Sequence, residues 1–230
     1  MRAVPLARYR RGDDPTMPLQ NRVTPFGELV AIPERGNMMG NRGVLHDDAR
    51  QIVRPWQLRR WITCVTEFRG RHREVMRPHS YTELFFLDEA TAFAAGHRPC
   101  AECRNADYRR FKAAWEQVTG APASAEQMDD ALHADRLERQ GARQQQRTYQ
   151  EAVATLPDGA FITLDGAAWL IWRGELLAWS AAGYTTRRTR PTGVAQVLTP
   201  RSAVAVMRAG YLPMAHPSAE KLIVHKNIRR

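Results

Sequence analysis

Apolar and polar positions alternate with a period of two in some stretches of this chain and recur at helical spacing in others, and the switches mark its elements. Residues 22–32 read as a strand with a turn at Pro25-Phe26-Gly27. The next stretch, RGNMMGNRGVLH, carries Gly36, Gly40 and Gly43 and reads as a mobile hairpin loop. Within RPWQLRRWITCVTEF the period is two: Trp61, Thr63 and Val65 face one way, and Ile62, Cys64 and Thr66 the other. RGRH at 69–72 supplies a turn and REVM returns, so a hairpin carrying Arg59, Arg60, Arg69, Arg71, Arg73 and Arg77 is expected.

A short apolar strand follows over Leu84 to Leu87, then Asp88 as an N-cap, a helix over 89–95 and Gly96 as its stop. Pro99 keeps that helix from resuming, and a second helix begins in AECRNADYRRFKAAWEQV. The polar stretch from 121 to 150 reads as a connector of one or two exposed helices, opened by a capping box of Ser124 and Gln127. On its helical face Asp129, His133 and Arg136 read as a solvated ion-pair stripe. Beyond it, the turns Asp158-Gly159, Asp165-Gly166 and Arg173-Gly174 separate tryptophan-rich runs, the signature of a three-stranded meander. A further strand and a helix capped by Thr199, opened by Pro200 and closed by Gly210 complete the chain. The fold class is α+β: a disordered arm over 1–16, a metal-binding domain over 17–120, the connector over 121–150 and a small α+β domain over 151–230.

Charge adds a partner to this outline. The formal net charge is +10, and 31 of the 34 basic residues are arginine. Guanidinium groups bind phosphate bidentately and stack on bases, so DNA or RNA is the expected partner. No run of about 18 apolar residues is present to span a bilayer, and the start lacks the apolar stretch of a secretory signal, so a cytoplasmic protein with no membrane partner is expected.

Three cysteines cannot pair completely, and Cys100 and Cys103 are spaced as a chelating half-site, in which two thiolates three residues apart reach one tetrahedral ion. Two constellations compete to complete it. In one, Cys64 joins them with a histidine from His72, His79 or His97, giving a closed structural zinc site. In the other, His72-x-Glu74 followed by Pro99-Cys100-x-x-Cys103 fits a zinc deaminase signature: His72 and the two cysteines hold zinc, and Glu74 shuttles protons. Buried thiols without a metal and a redox pair are the plainer alternatives. His46 and His216 are weaker candidates for a nuclease-like metal centre, and Arg35 or Arg42 beside the glycines for a phosphate contact.

LFFLDEATAFAAGHRPCAECR resembles the zinc-binding module of the Ada family of alkylation-response DNA repair proteins. Gly96, Arg98, Pro99, Cys100 and Cys103 match it position by position, over roughly residues 61–110. That family holds zinc with four cysteines, one of which accepts a methyl group from DNA, whereas this chain has Cys64 alone upstream of Cys100. A neutral imidazole in place of a thiolate makes the remaining sulfurs less nucleophilic. The resemblance therefore implies a zinc-stapled fold that meets DNA, with methyl acceptance set aside. Arg69, Arg71, Arg73, Arg98, Arg104, Arg109 and Arg42 are the expected phosphate contacts.

Overall fold

The computed structural model describes residues 17–71, 74–140 and 143–224, so the expected arm over 1–16, together with His72 and Arg73, lies outside the described residues. The chain is α+β, and among the described residues two six-stranded sheets clasp a short helix.

The first sheet is formed by β1 (Gln20–Val23), β2 (Leu29–Ala31), β3 (Met38–Asn41), β4 (Ile62–Val65), β5 (Leu84–Phe86) and β6 (Arg98–Pro99), in the order β2-β1-β5-β3-β4-β6. The turn at Pro25-Phe26-Gly27 joins β1 to β2 as expected, with Gly27 at φ 74°. The glycine-rich stretch is not a mobile loop. Gly40 lies inside β3, where a Cβ would stand 2.2 Å from the Ile62 carbonyl oxygen, and at Gly36 one would stand 2.1 Å from that of Phe86. These glycines admit a neighbouring backbone. Among the described residues the expected arginine hairpin is also absent. β4 pairs antiparallel with β3 and parallel with β6, so both of its edges are taken and none remains for residues 74–77.

Helix α1 (Glu89–Ala94) is buried at all six positions. Asp88 caps it by accepting from the Thr91 backbone N–H at 2.8 Å. Ala92 packs on the first sheet with Met38, Leu84 and Phe86, while Ala90 and Ala94 pack on the second with Phe161, Leu170 and Leu177. Small side chains on both faces let two sheets approach one helix.

Helix α2 (Asn105–Thr119) and helix α3 (Ala125–Arg136) follow, the latter with the expected Ser124–Gln127 capping box. The remainder of the expected helical connector is extended: β7 (Leu137–Gln140) and β8 (Arg143–Gln146) form a hairpin, and β9 (Tyr149–Ala152) joins the second sheet. That sheet adds β10 (Phe161–Leu164), β11 (Ala167–Trp172), β12 (Glu175–Ser180), β13 (Gly183–Thr189) and β14 (Val194–Val197), in the order β13-β12-β11-β10-β14-β9. The expected meander is present and one strand longer. Two of its two-residue turns hold positive φ at both positions, Asp165 and Gly166 at 53° and 77°, Arg173 and Gly174 at 48° and 78°. This is the geometry that matches strand twist.

Helix α4 (Arg201–Arg208) is capped by Pro200 and not by Thr199, whose buried hydroxyl accepts from the Phe161 N–H at 2.9 Å. Helix α5 (Pro217–Val224) ends the described chain. Phe93, Phe111 and Trp115 share one apolar cluster with Met128, Ile162, Val197 and Val204, so helices of the first half and strands of the second bury a common core. Buried carboxylates reinforce this junction. Tyr184 Oη donates to Asp88 at 2.7 Å and Tyr211 Oη to Glu89 at 2.6 Å, each from the far end of the sequence. Among the described residues no helix is long and apolar enough to cross a membrane.

Candidate metal centre

The alternation in β4 decides where Cys64 points. It shares a face with Ile62, and the paired residues Met39, Asn41 and Phe85 extend that face across β3 and β5. Thr63, Leu84 and Phe86 lie on the opposite face and are fully buried. The Cys64 face forms the floor of a cavity of about 350 Å³. The parallel register of Ile62 with Arg98 and Thr63 with Pro99 carries the chain to Cys100 beside Cys64, and the Cys100 N–H donates to the Thr63 carbonyl at 2.9 Å. The CxxC turn then brings Cys103 back to the same point.

The three sulfurs lie within 4.8 Å of one another. Thiolates at about 2.3 Å from a tetrahedral ion stand roughly 3.8 Å apart, so small adjustments bring this group around one metal. Turn amides steady the sulfurs: the Glu102 N–H donates to Cys100 Sγ at 3.4 Å. Cys100 is driven well below the usual thiol range because Cys103 and Cys64 donate to its sulfur. Cys64 and Cys103 are pushed up, each through its hydrogen bond to Cys100 before any other cause. One negative charge forms readily there, and further charges need a cation.

No histidine joins the group among the described residues. His97 is buried between Phe86 and Trp61, with ring centroids 4.7 and 5.2 Å away, and its Nε2 accepts from Arg42. It follows Gly96, whose φ of 84° turns the chain so that the imidazole enters the aromatic core. His79 is exposed and 3.9 Å from Asp48. Glu74, the deaminase candidate, is exposed, pairs with Arg50 and does not line the cavity. His46 and His216 are tied up separately, with Thr82 and Ser218.

The cavity contains a carboxylate that sequence reasoning missed. Glu83 is 4% exposed; one oxygen accepts from the Met76 N–H at 2.7 Å and the other has no partner among the described residues. Its only sequence signal is a charged residue opening an apolar strand. Phe68, Phe85, Tyr81 and Val75 make the remaining walls largely apolar, and Arg71 and Glu102, paired at 3.0 Å, lie at the rim.

The arginines expected to meet phosphate divide into two sets. Arg69, Arg71 and Arg109 are exposed. Arg98, Arg104 and Arg42 are turned inward, at 2%, 6% and 2% exposure. Arg98 grips Asp129 with two hydrogen bonds of 2.8 and 2.7 Å, and Arg104 pairs with Glu89 at 2.8 Å. Arg98 ties β6 to α3 bidentately and Arg104 ties the start of α2 to α1, each guanidinium neutralising a carboxylate in a dry interior. Asp129 and Arg136 are likewise buried, which corrects the expected solvated stripe on α3.

Compared with known protein families, curated proteins and solved structures, the chain matches none.

Proposed function

We propose that the protein binds zinc through Cys64, Cys100 and Cys103 and that it acts on, or beside, a nucleic acid held by its outward arginines. The convergence of three sulfurs from distant parts of the sequence onto one cavity carries this reading. Soft thiolates select zinc over the hard divalent cations. The three ligands found among the described residues leave a tetrahedral ion one position, and here the cavity offers room for it, which favours an exchangeable ligand over the closed Cys3His arrangement. Arg71 at the rim and Arg69 beside it supply positive charge where a phosphate backbone would approach. The motif likeness to the Ada module supports the same reading.

A second reading, a zinc-dependent hydrolytic enzyme acting on a nucleobase or phosphodiester, is favoured by Glu83. A zinc ion in the site would supply Lewis acidity. Glu83, buried in the same cavity with one oxygen unengaged, is placed to hold or pass a proton.

Elemental analysis of reduced protein tests the first step, with about one zinc per chain expected. Fluorescence anisotropy with single- and double-stranded oligonucleotides tests the second, with affinity falling steeply as salt rises. No zinc in protein kept from chelators, or no binding at low salt, overturns the corresponding half.

A further inference from the structure

A second cavity, of about 280 Å³, has the opposite electrostatic character. Its walls include Arg42, Arg136, Trp56, Trp61 and Gln146. Arg42 and Arg136 are 2% and 1% exposed, and each places its guanidinium carbon 4.0 Å from the Trp61 ring centroid. Their hydrogen-bond partners are neutral. Arg42 donates to the Gly27 carbonyl at 3.2 Å and to His97 at 3.4 Å. Arg136 donates to the Gly96 carbonyl at 2.6 Å, to the Arg59 carbonyl and to His133 at 3.1 Å.

No described carboxylate forms an ion pair with either arginine. Asp129 is the buried acid whose field reaches Arg136, and both its oxygens are engaged by Arg98. Glu28, the one carboxylate in the cavity wall, is exposed. Burial pulls Arg42 down to about 9 and Arg136 to about 8, Arg42 adding to the effect on Arg136, so both stay cationic at neutral pH while strongly disfavoured there. Burial also lowers both histidines, His97 well below its ordinary value and His133 to about 4, so neither adds to nor cancels the charge at neutral pH.

Two buried cations without a counter-ion cost stability unless an anion completes the site. Among the described residues Arg42 Nη2 and Arg136 Nε have no partner, and Gln146 Oε1 is an unengaged acceptor in the same wall. A water occupies about 30 Å³, so a bare phosphate, the size of a few waters, leaves most of the space unfilled. The indole of Trp56 borders that remaining space.

We propose that this cavity binds a nucleotide through its 5′-phosphate, with Arg42 and Arg136 on the phosphate, Trp56 against the base, and Gln146 Oε1 accepting from a hydroxyl or amino group. The phosphate belongs either to a free mononucleotide or to the end of a strand. This assignment uses none of the cysteines and stands whether or not they hold a metal.

The test is calorimetric titration and thermal unfolding of the full chain with adenosine 5′-monophosphate, adenosine, inorganic phosphate, and matched short oligonucleotides with and without a 5′-phosphate. One mononucleotide per chain is expected, with adenosine and inorganic phosphate each at least tenfold weaker. Tighter binding of the 5′-phosphorylated oligonucleotide assigns the site to strand ends; equal binding assigns it to free nucleotides. Arg42→Met, which keeps the bulk and removes the charge, is expected to weaken the mononucleotide tenfold or more while the free protein melts no lower than wild type. Lys221→Ala, exposed and outside the cavity, leaves the affinity unchanged. Absence of mononucleotide binding to wild type overturns the proposal, as does binding that survives Arg42→Met. Inorganic phosphate as tight as the mononucleotide overturns the nucleotide assignment. If Arg42→Met does not fold, Trp56→Ala must weaken the mononucleotide and leave inorganic phosphate unaffected, and the reverse pattern overturns it.

Discussion

The cysteine cavity and the arginine cavity are built alike and charged oppositely. Each has apolar or aromatic walls and a few buried polar atoms that find no partner among the described residues. The first gathers three sulfurs that resist full ionisation until a cation arrives; the second gathers two guanidiniums whose partners are all neutral. Other buried charges balance, Arg98 with Asp129 and Arg104 with Glu89. The contrast shows that a buried charge by itself says little about function here. An uncompensated one, facing a cavity, marks where something else completes the structure.

Several experiments break or sharpen this contrast, beginning with the largest expected effect. Cys100→Ser or Cys64→Ser is expected to take zinc from one per chain to near zero, read by elemental analysis, and to lower the melting temperature of protein prepared with zinc. A structural zinc in small peptides contributes on the order of 10 kcal/mol, so even a fraction of that is visible. Asp129→Ala addresses the balanced pair and strands Arg98 beside two further unpaired guanidiniums. A loss of about 3–5 kcal/mol in urea unfolding is expected, the usual effect of removing one partner of a buried pair.

Proton release separates the two cavities next. Because Cys64 and Cys103 are pushed above the ordinary thiol range in the metal-free protein, zinc loading must expel their protons. Affinity therefore rises with pH across the neutral range and falls on acidification. Titration calorimetry in buffers of differing ionisation enthalpy is expected to show net proton release into solution. Equal heats in all buffers would contradict this. The smallest effect belongs to the rim: Arg71→Ala is expected to weaken oligonucleotide binding modestly and to reduce the salt-dependence slope by about 1, with zinc content unchanged.

The cysteine site was legible to the extent that its logic is local. CxxC is a chelating turn in any context, and the alternation around Cys64 correctly put it on one face with Ile62. The inward turn of His97, away from the sulfurs, was not legible, because it lies one residue past a glycine whose positive φ aims it into the aromatic core, a direction that spacing does not encode. Glu83 and the pairing of Arg42 with Arg136 escaped for a related reason. Their significance lies in what fails to neighbour them, and a sequence displays no vacancies among partners. Of the arginines expected to meet phosphate, Arg69, Arg71 and Arg109 face outward, while Arg98 and Arg104 spend their charge inside.

By itself the sequence determined the elements whose signals are short-range. Among these are the Asp88 cap and Gly96 stop of α1, the capping box of α3, the glycine turns of the meander and the α+β class. Each depends on backbone preference or on hydrogen bonds between residues a few positions apart. Tertiary structure decided which sheet edges were free, and so that residues 74–77 form no hairpin with β4. It also decided that one all-buried helix serves two sheets, and which charges find partners. Strand pairing and charge compensation depend on groups brought together from far along the chain, and their free energies exist only once the fold has removed water from between them.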